Sequence, residues 1–176
     1  MKEKISMWVH DLTIVAFCIF FGYLIGRYNS SKSITANLRS EARRIECADS
    51  INNQCLKNLL EKSRVKFSHI VLAQAKLESK SFTSPVAINN KNIFGMKVAA
   101  TRFTFATNGH DYGNYAMYDS YADCVLDYKA WQMQCAYLIN DEDRYYELLG
   151  KIYAQDPKYV EKLKSLVASN VVNYVQ

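Results

Sequence analysis

Apolar residues in this chain form one long uncharged run near the amino terminus and a series of shorter blocks beyond residue 50. Leu12 to Gly26 contains no charged side chain, and Met7-Trp8-Val9 extends its apolar character across His10 and Asp11. A membrane-spanning helix needs about 20 apolar residues, and a secretion-signal core about 7–15. Arg27-Tyr28-Asn29 follows with no small-residue cleavage site, and Phe17 before Cys18 spoils a lipoprotein-type site. Residues 1–27 therefore predict an uncleaved transmembrane signal anchor, with Trp8 and Tyr23 or Tyr28 near the two bilayer interfaces. Residues 28–49 are polar and basic and predict a stalk, in which Ile34, Leu38, Ala42 and Ile45 recur at helical spacing.

From residue 50 to 176 the blocks predict a mostly helical α+β domain. Ile51, Cys55, Leu56, Leu59 and Leu60 mark a first helix that breaks at Lys62-Ser63-Arg64. Ser68 is the expected N-cap of a second helix through Ile70-Val71-Leu72-Ala73-Gln74-Ala75-Lys76-Leu77. Ser84-Pro85 and the asparagines at 89, 90 and 92 supply turn chemistry. Phe103-Thr104-Phe105 alternates like a strand, and the turn-rich segment 107–114 predicts the tip of a small antiparallel β-hairpin. Ser120 with Asp123 starts a helix through Val125, Tyr128, Trp131 and Leu138. Asp141-Glu142-Asp143 opens another, ending near Gly150. Asp156-Pro157 is read as an N-cap with proline at the first helical position, leading into Tyr159, Leu163 and Leu166.

Composition adds little to the fold but narrows the partners. A hydrophobic content of 49% with only two prolines excludes a disordered chain, and thirteen tyrosines suit a sugar-binding groove. The net charge of +5 favours an anionic partner such as a bacterial wall or membrane surface. No nucleic-acid motif accompanies it, so no nucleic-acid partner is expected. His10, His69 and His110 are scattered and form no ligand pattern with the cysteines, so neither metal nor other cofactor is expected.

Glu78 carries the chemistry. It closes the apolar block 70–77 and precedes the polar exit Ser79-Lys80-Ser81, so it falls in the last turn of a helix, where the macrodipole disfavours an anion. Phe82, Ile93 and Phe94 are apolar neighbours in sequence that could raise its pKa further, as a general acid requires. Ala73-Gln74-Ala75-Lys76-Leu77-Glu78-Ser79 is followed by Asn89-Asn90-Lys91-Asn92-Ile93-Phe94-Gly95-Met96-Lys97 and then by Tyr153-Ala154-Gln155-Asp156-Pro157-Lys158-Tyr159. In order and spacing these three motifs resemble the glucosaminidase domain of bacterial and phage peptidoglycan hydrolases, glycoside hydrolase family 73, over about Ser50 to Val167.

That resemblance implies a lysozyme-like fold whose groove binds peptidoglycan glycan strands. It also implies cleavage of the β-1,4 bond between N-acetylglucosamine and N-acetylmuramic acid, with Glu78 protonating the leaving oxygen. Tyr153 would line the site, and Asn92, Phe94, Tyr115, Tyr118 and Tyr159 would contact substrate. Many relatives carry a second Glu on the hairpin, but Thr101 to Thr107 contains no acid. Asp111 and Asp119 are the nearest carboxylates, with Asp111 the candidate second acid. A 2-acetamido sugar can instead supply its own nucleophile. A lytic transglycosylase and a non-catalytic wall-binding or morphogenesis protein are the alternatives.

A wall hydrolase also has to lie on the outer side of the membrane. The basic residues Arg27, Lys32, Arg39, Arg43 and Arg44 outnumber Lys2 and Lys4, which by charge alone favours the opposite orientation. With residues 1–27 read as the bilayer anchor, the resemblance, which extends to phage enzymes, implies that the domain lies outside. Outside the anchor, Cys47, Cys55, Cys124 and Cys135 allow three pairings, although Cys124 and Cys135, about 16 Å apart on one helix, are too distant to bond each other.

Overall fold

A computed structural model describes residues 47, 50–107, 113–153 and 156–172, the last three as backbone only. The expected anchor, most of the expected stalk, Asp111 and the expected hairpin tip at 108–112 lie outside these residues. Among the described residues no helix is long and apolar enough to cross a membrane.

Six helices are described: α1 (Asn53–Lys62), α2 (Ser68–Glu78), α3 (Pro85–Asn89), α4 (Tyr121–Cys135), α5 (Glu142–Ile152) and α6 (Tyr159–Val172). The central element is α2, in which every residue from Ile70 to Ala75 is buried. Its run is apolar on all sides because α1 and α6 both pack against it. Helix α1 is one-sided by contrast, burying Leu56, Leu59 and Leu60, and Asn52 caps it by accepting from the Cys55 amide at 2.9 Å. A disulfide joins Cys47 to Cys55 with their Cα atoms 5.8 Å apart, tying the end of the expected stalk to α1. Cys124 is a buried free thiol and Cys135 a half-buried one.

Several element boundaries differ from expectation. Ser68 is the first residue of α2 rather than its cap; Phe67 holds the cap position in a left-handed conformation, φ 54°. Its ring stacks on Tyr145 with centroids 4.6 Å apart, and Gln132 holds both the N–H and the C=O of Lys66 before it. Helix α4 stops at Cys135, and Leu138 is exposed beyond it. There the chain folds around the Lys66 ammonium, which donates to the carbonyls of Tyr137 and Ile139. Gly150 lies inside α5 rather than after it. A Cβ at Gly150 would stand 2.9 Å from Val160 Cγ2, so its glycine serves the close approach of α5 and α6. Helix α6 begins at Tyr159, two residues beyond Pro157, and Asp156 makes the expected capping bond just before it, accepting from the Lys158 amide at 2.9 Å, and pairs with Lys162.

The expected hairpin is reduced, among the described residues, to one antiparallel bridge between Lys97 and Tyr115. Further bonds link Ala116 N to Met96 O at 2.8 Å and Thr107 N to Met117 O at 2.9 Å. Segment 103–106 does not pair as a strand because side chains take its donors: Asp127 accepts from Phe105 N, and Thr104 Oγ1 from Ala106 N. Asp127 also holds Arg102 through two bonds of 2.8 Å and accepts from Tyr118 at 2.9 Å. The segment is thus fastened to α4 by a buried carboxylate.

Candidate active site

Glu78 is the last residue of α2, half-buried where the central helix emerges. The chain leaves it abruptly. Ser79 is fully buried; its hydroxyl donates to Ala75 O at 2.5 Å and accepts from Phe82 N at 2.8 Å. Lys80, Ser81 and Phe82 all have positive φ, 51°, 55° and 71°. Each such residue costs about 1–2 kcal/mol, and strain of this kind persists where the surroundings enforce it.

Two elements converge on the carboxyl group. From the first turn of α6, Tyr159 donates its hydroxyl to Glu78 Oε1 at 2.8 Å. On the other side is Gly95, where a Cβ would lie 3.6 Å from Glu78 Oε2 and 3.9 Å from Tyr115 Cε1. Gly95 has φ +64°, so it needs glycine's backbone freedom as well as the absence of a side chain. Asn92 sets this turn: its amide donates to Met96 O and Ala116 O, both at 2.8 Å, while its oxygen accepts from Met96 N. Tyr153 adds a second fixing, donating to Phe94 O at 2.6 Å.

Burial raises the pKa of Glu78, and the Tyr159 hydrogen bond offsets part of that rise. The Tyr159 phenol is itself pushed far up, by burial first and by the Glu78 carboxylate second, so it remains a neutral donor. Tyr153 is raised for the same two reasons. A carboxyl group with a raised pKa, a fixed donor on one oxygen and a residue without a side chain by the other is equipped to deliver a proton. The Cys124 thiol is pushed well above its usual range by burial and has no character of a nucleophile. Among the described residues no three His, Cys, Asp or Glu side chains are grouped to hold a metal.

The expected site residues divide into two groups. Tyr159 meets Glu78 at the carboxyl group and Tyr115 lies beside the Gly95 turn that faces it, with Tyr153 one layer behind; Gly95 itself was not among the expected site residues. Asn92, Phe94 and Tyr118 are buried beneath the surface. Asn92 has both amide ends committed to backbone, the Phe94 ring packs 4.2 Å from Tyr128, and the Tyr118 hydroxyl is spent on Asp127. In this arrangement their side chains are packed into the walls behind the carboxyl group. Three residues were missed. Trp131 is half-buried and packs edge-on against Tyr153 with centroids 5.4 Å apart, while Tyr128 and Gln74 lie behind the site. Gln74 had a readable signal, as the one polar side chain in the buried run Ile70–Ala75, four residues before Glu78.

The profile of the family described as mannosyl-glycoprotein endo-beta-N-acetylglucosaminidase matches residues 53–171, which include α2, the Gly95 turn and Tyr159. The chain belongs to this glucosaminidase family. It is accordingly a glycoside hydrolase. Among solved structures, the catalytic domain of the autolysin Auto from Listeria monocytogenes is similar at 20% identity, covering 84% of this chain and 96% of that one, with a TM-score of 0.48. A comparison with curated proteins finds no match.

Proposed function

We propose that this glucosaminidase hydrolyses the β-1,4 bond between N-acetylglucosamine and N-acetylmuramic acid in peptidoglycan, on a lysozyme-like domain, with Glu78 as general acid. The observation that carries the reading is the half-buried Glu78 carboxyl, held by Tyr159 on one oxygen and facing the side-chain-free Gly95 on the other. Glu78 donates its proton to the glycosidic oxygen as the bond to C1 breaks. The carbonyl oxygen of the substrate's own 2-acetamido group closes on C1, giving a cyclic oxazolinium. Water then opens this ring and returns its proton to Glu78, with retention at C1. The acid-free sequence from Thr101 to Thr107 favours this route over a carboxylate base, and Asp111 is the alternative base.

The protein is further proposed to be held at the bilayer by residues 1–27, with its catalytic domain on the wall side. The Cys47–Cys55 disulfide supports that side, since such bonds persist in oxidising compartments.

The test is to incubate the detergent-solubilised chain, and its Glu78→Gln variant, with peptidoglycan, reduce the products with borohydride and identify the sugar ends by mass spectrometry. Reduced N-acetylglucosamine ends from the parent alone are expected. Anhydromuramic ends would make it a lytic transglycosylase. No new ends from a folded, wall-binding protein would make it a binding protein. Inhibition by a thiazoline-fused sugar that mimics the oxazolinium, together with turnover by Asp111→Asn, separates the acetamido route from a carboxylate base.

A further inference from the structure

A chain of buried polar groups runs from the backbone at Lys66 to Glu78, and its proton sense can be read step by step. Lys66 N donates to Gln132 Oε1 at 2.9 Å and Lys66 O accepts from Gln132 Nε2 at 2.8 Å, which fixes which end of that amide is which. Gln132 Nε2 also donates to the Tyr145 hydroxyl oxygen at 2.8 Å. The Tyr145 and Tyr128 hydroxyls are 2.8 Å apart, and the Tyr128 proton goes to Gln74 Oε1 at 2.5 Å. A phenol has one proton, so Tyr145 donates to Tyr128. With Oε1 taken, Gln74 is left with a buried Nε2 that makes no hydrogen bond among the described residues, and its amide acts on the Tyr159 hydroxyl to lower that group's pKa. Reversing Gln74 would reverse Tyr128 and then Tyr145, and Tyr145 would point its proton at the Gln132 N–H. The peptide at Lys66 forbids that.

We infer that Gln74 is a positioning residue for the acid: the one-way chain Gln132, Tyr145, Tyr128, Gln74 aims an N–H at the Tyr159 oxygen and so commits the single Tyr159 proton to Glu78. Gln74, Gln132, Tyr128, Tyr145 and Tyr159 are each no more than 5% exposed, so water does not compete to reverse the sense. The chain crosses the domain beside α2, whose eleven residues from Ser68 to Glu78 rise about 16 Å. Among the described residues, the other titratable groups around Glu78 are Tyr159 from α6, Tyr153 after α5 and Tyr115 beside Gly95, with Lys97 over the Tyr115 ring. None of these supplies a second route by which Gln74 could act.

This inference rests on the reading of Glu78 as the acid. Gln74→Glu keeps the shape and, where it ionises, replaces the donor by an acceptor, drawing the Tyr159 proton away from Glu78. In the full chain acting on peptidoglycan, kcat is expected to fall about tenfold or more with KM within about twofold, since one hydrogen bond to a charged group is being redirected. The alkaline limb of kcat/KM is expected to move to higher pH. Tyr159→Phe removes the same donor, so the double variant is expected to be no worse than the more impaired single one. Circular dichroism and melting temperature establish folding. Should Gln74→Glu not fold, Gln74→Met fills the space without either amide end, and its effect, about threefold, is expected to be equally non-additive with Tyr159→Phe. Additive losses, or a wild-type pH profile in a folded Gln74 variant, would overturn the inference. Activity retained by Glu78→Gln would instead remove the acid assignment beneath it.

Discussion

Replacing Gly95 by alanine separates two consequences of one methyl group. The first is conformational. At φ +64° an alanine is left-handed, at a cost of about 1–2 kcal/mol, which for a domain of this size lowers the melting temperature by roughly 4–8 °C. The second is local. The new carbon would stand 3.6 Å from Glu78 Oε2, an ordinary contact, so the resting carboxyl group keeps its place. A leaving oxygen must come within about 2.6–3.2 Å of the same group, and the methyl obstructs that approach. A misplacement of about 1 Å at a reacting centre can cost about 100-fold, so a fall of that order in kcat/KM is expected. Gly113→Ala is the matched control, since Gly113 has the same φ of +64° with nothing within 4 Å of its added carbon. It should lose similar stability but keep its activity per folded molecule. The assay is release of reducing ends from peptidoglycan, normalised to folded protein by calorimetry. If Gly95→Ala behaves like Gly113→Ala, the Oε2 side of Glu78 is not where the substrate approaches.

Three further outcomes follow from the same geometry. Glu78 has a pKa raised above its usual 4.5, so the folded state binds its proton more tightly than the unfolded one, and its ionisation costs stability as pH rises through the folded value. Glu78→Gln should therefore melt higher than the parent at pH 8, with the gain shrinking toward pH 4; an equal difference at both would contradict the burial of the carboxyl group. Asp127 is the opposite case: burial would raise it, but Arg102, Phe105 N–H and Thr104 hold it below 3.8, so its stabilisation is present above that value and is lost as pH falls through the folded pKa. Asp127→Asn leaves Arg102 with an uncharged partner and should cost up to about 3–5 kcal/mol in urea unfolding, since its side chain is 0% exposed; a loss under about 1 kcal/mol would mean the pair is not the fastening of segment 101–107. Reduction of Cys47–Cys55, which closes a short loop, should cost roughly 2–3 kcal/mol, seen as a lower melting temperature in dithiothreitol and absent from a Cys55→Ser variant.

The parts of this molecule legible in its sequence are those governed by local chemistry. Ser120 with Asp123 and Asp141 before Arg144 each act within one helical turn, and each caps the helix where the pattern places it, whereas Ser84 before Pro85, read as turn chemistry, caps the short helix α3. Glu78 at the end of an apolar run was legible for the same reason. What was lost depended on partners distant in sequence. Ser68 yields the cap to Phe67 because Tyr145 and Gln132, more than sixty residues away, hold that corner. The strand-like alternation at 103–105 is overridden by Asp127, and Gly150 reads as a helix end until Val160 is seen against it. In the site, the internal hydrogen bonds of Asn92 and of Tyr118 with Asp127 were not legible either, because their partners depend on the fold around them.

With Glu78 as the proposed acid, the arrangement explains why an acid at a helix end tolerates a donor that works against it. Burial of Glu78 alone raises its pKa, and a helix carboxyl terminus adds to the rise. Unopposed, these effects would leave the group reluctant to part with its proton. Tyr159 stabilises the carboxylate that remains after proton transfer, so the same bond that lowers the resting pKa favours the donating step. The compromise depends on the Tyr159 proton pointing one way. Tyr159 cannot guarantee that by itself, because a hydroxyl rotates; a buried amide four residues before Glu78, locked by Tyr128, can.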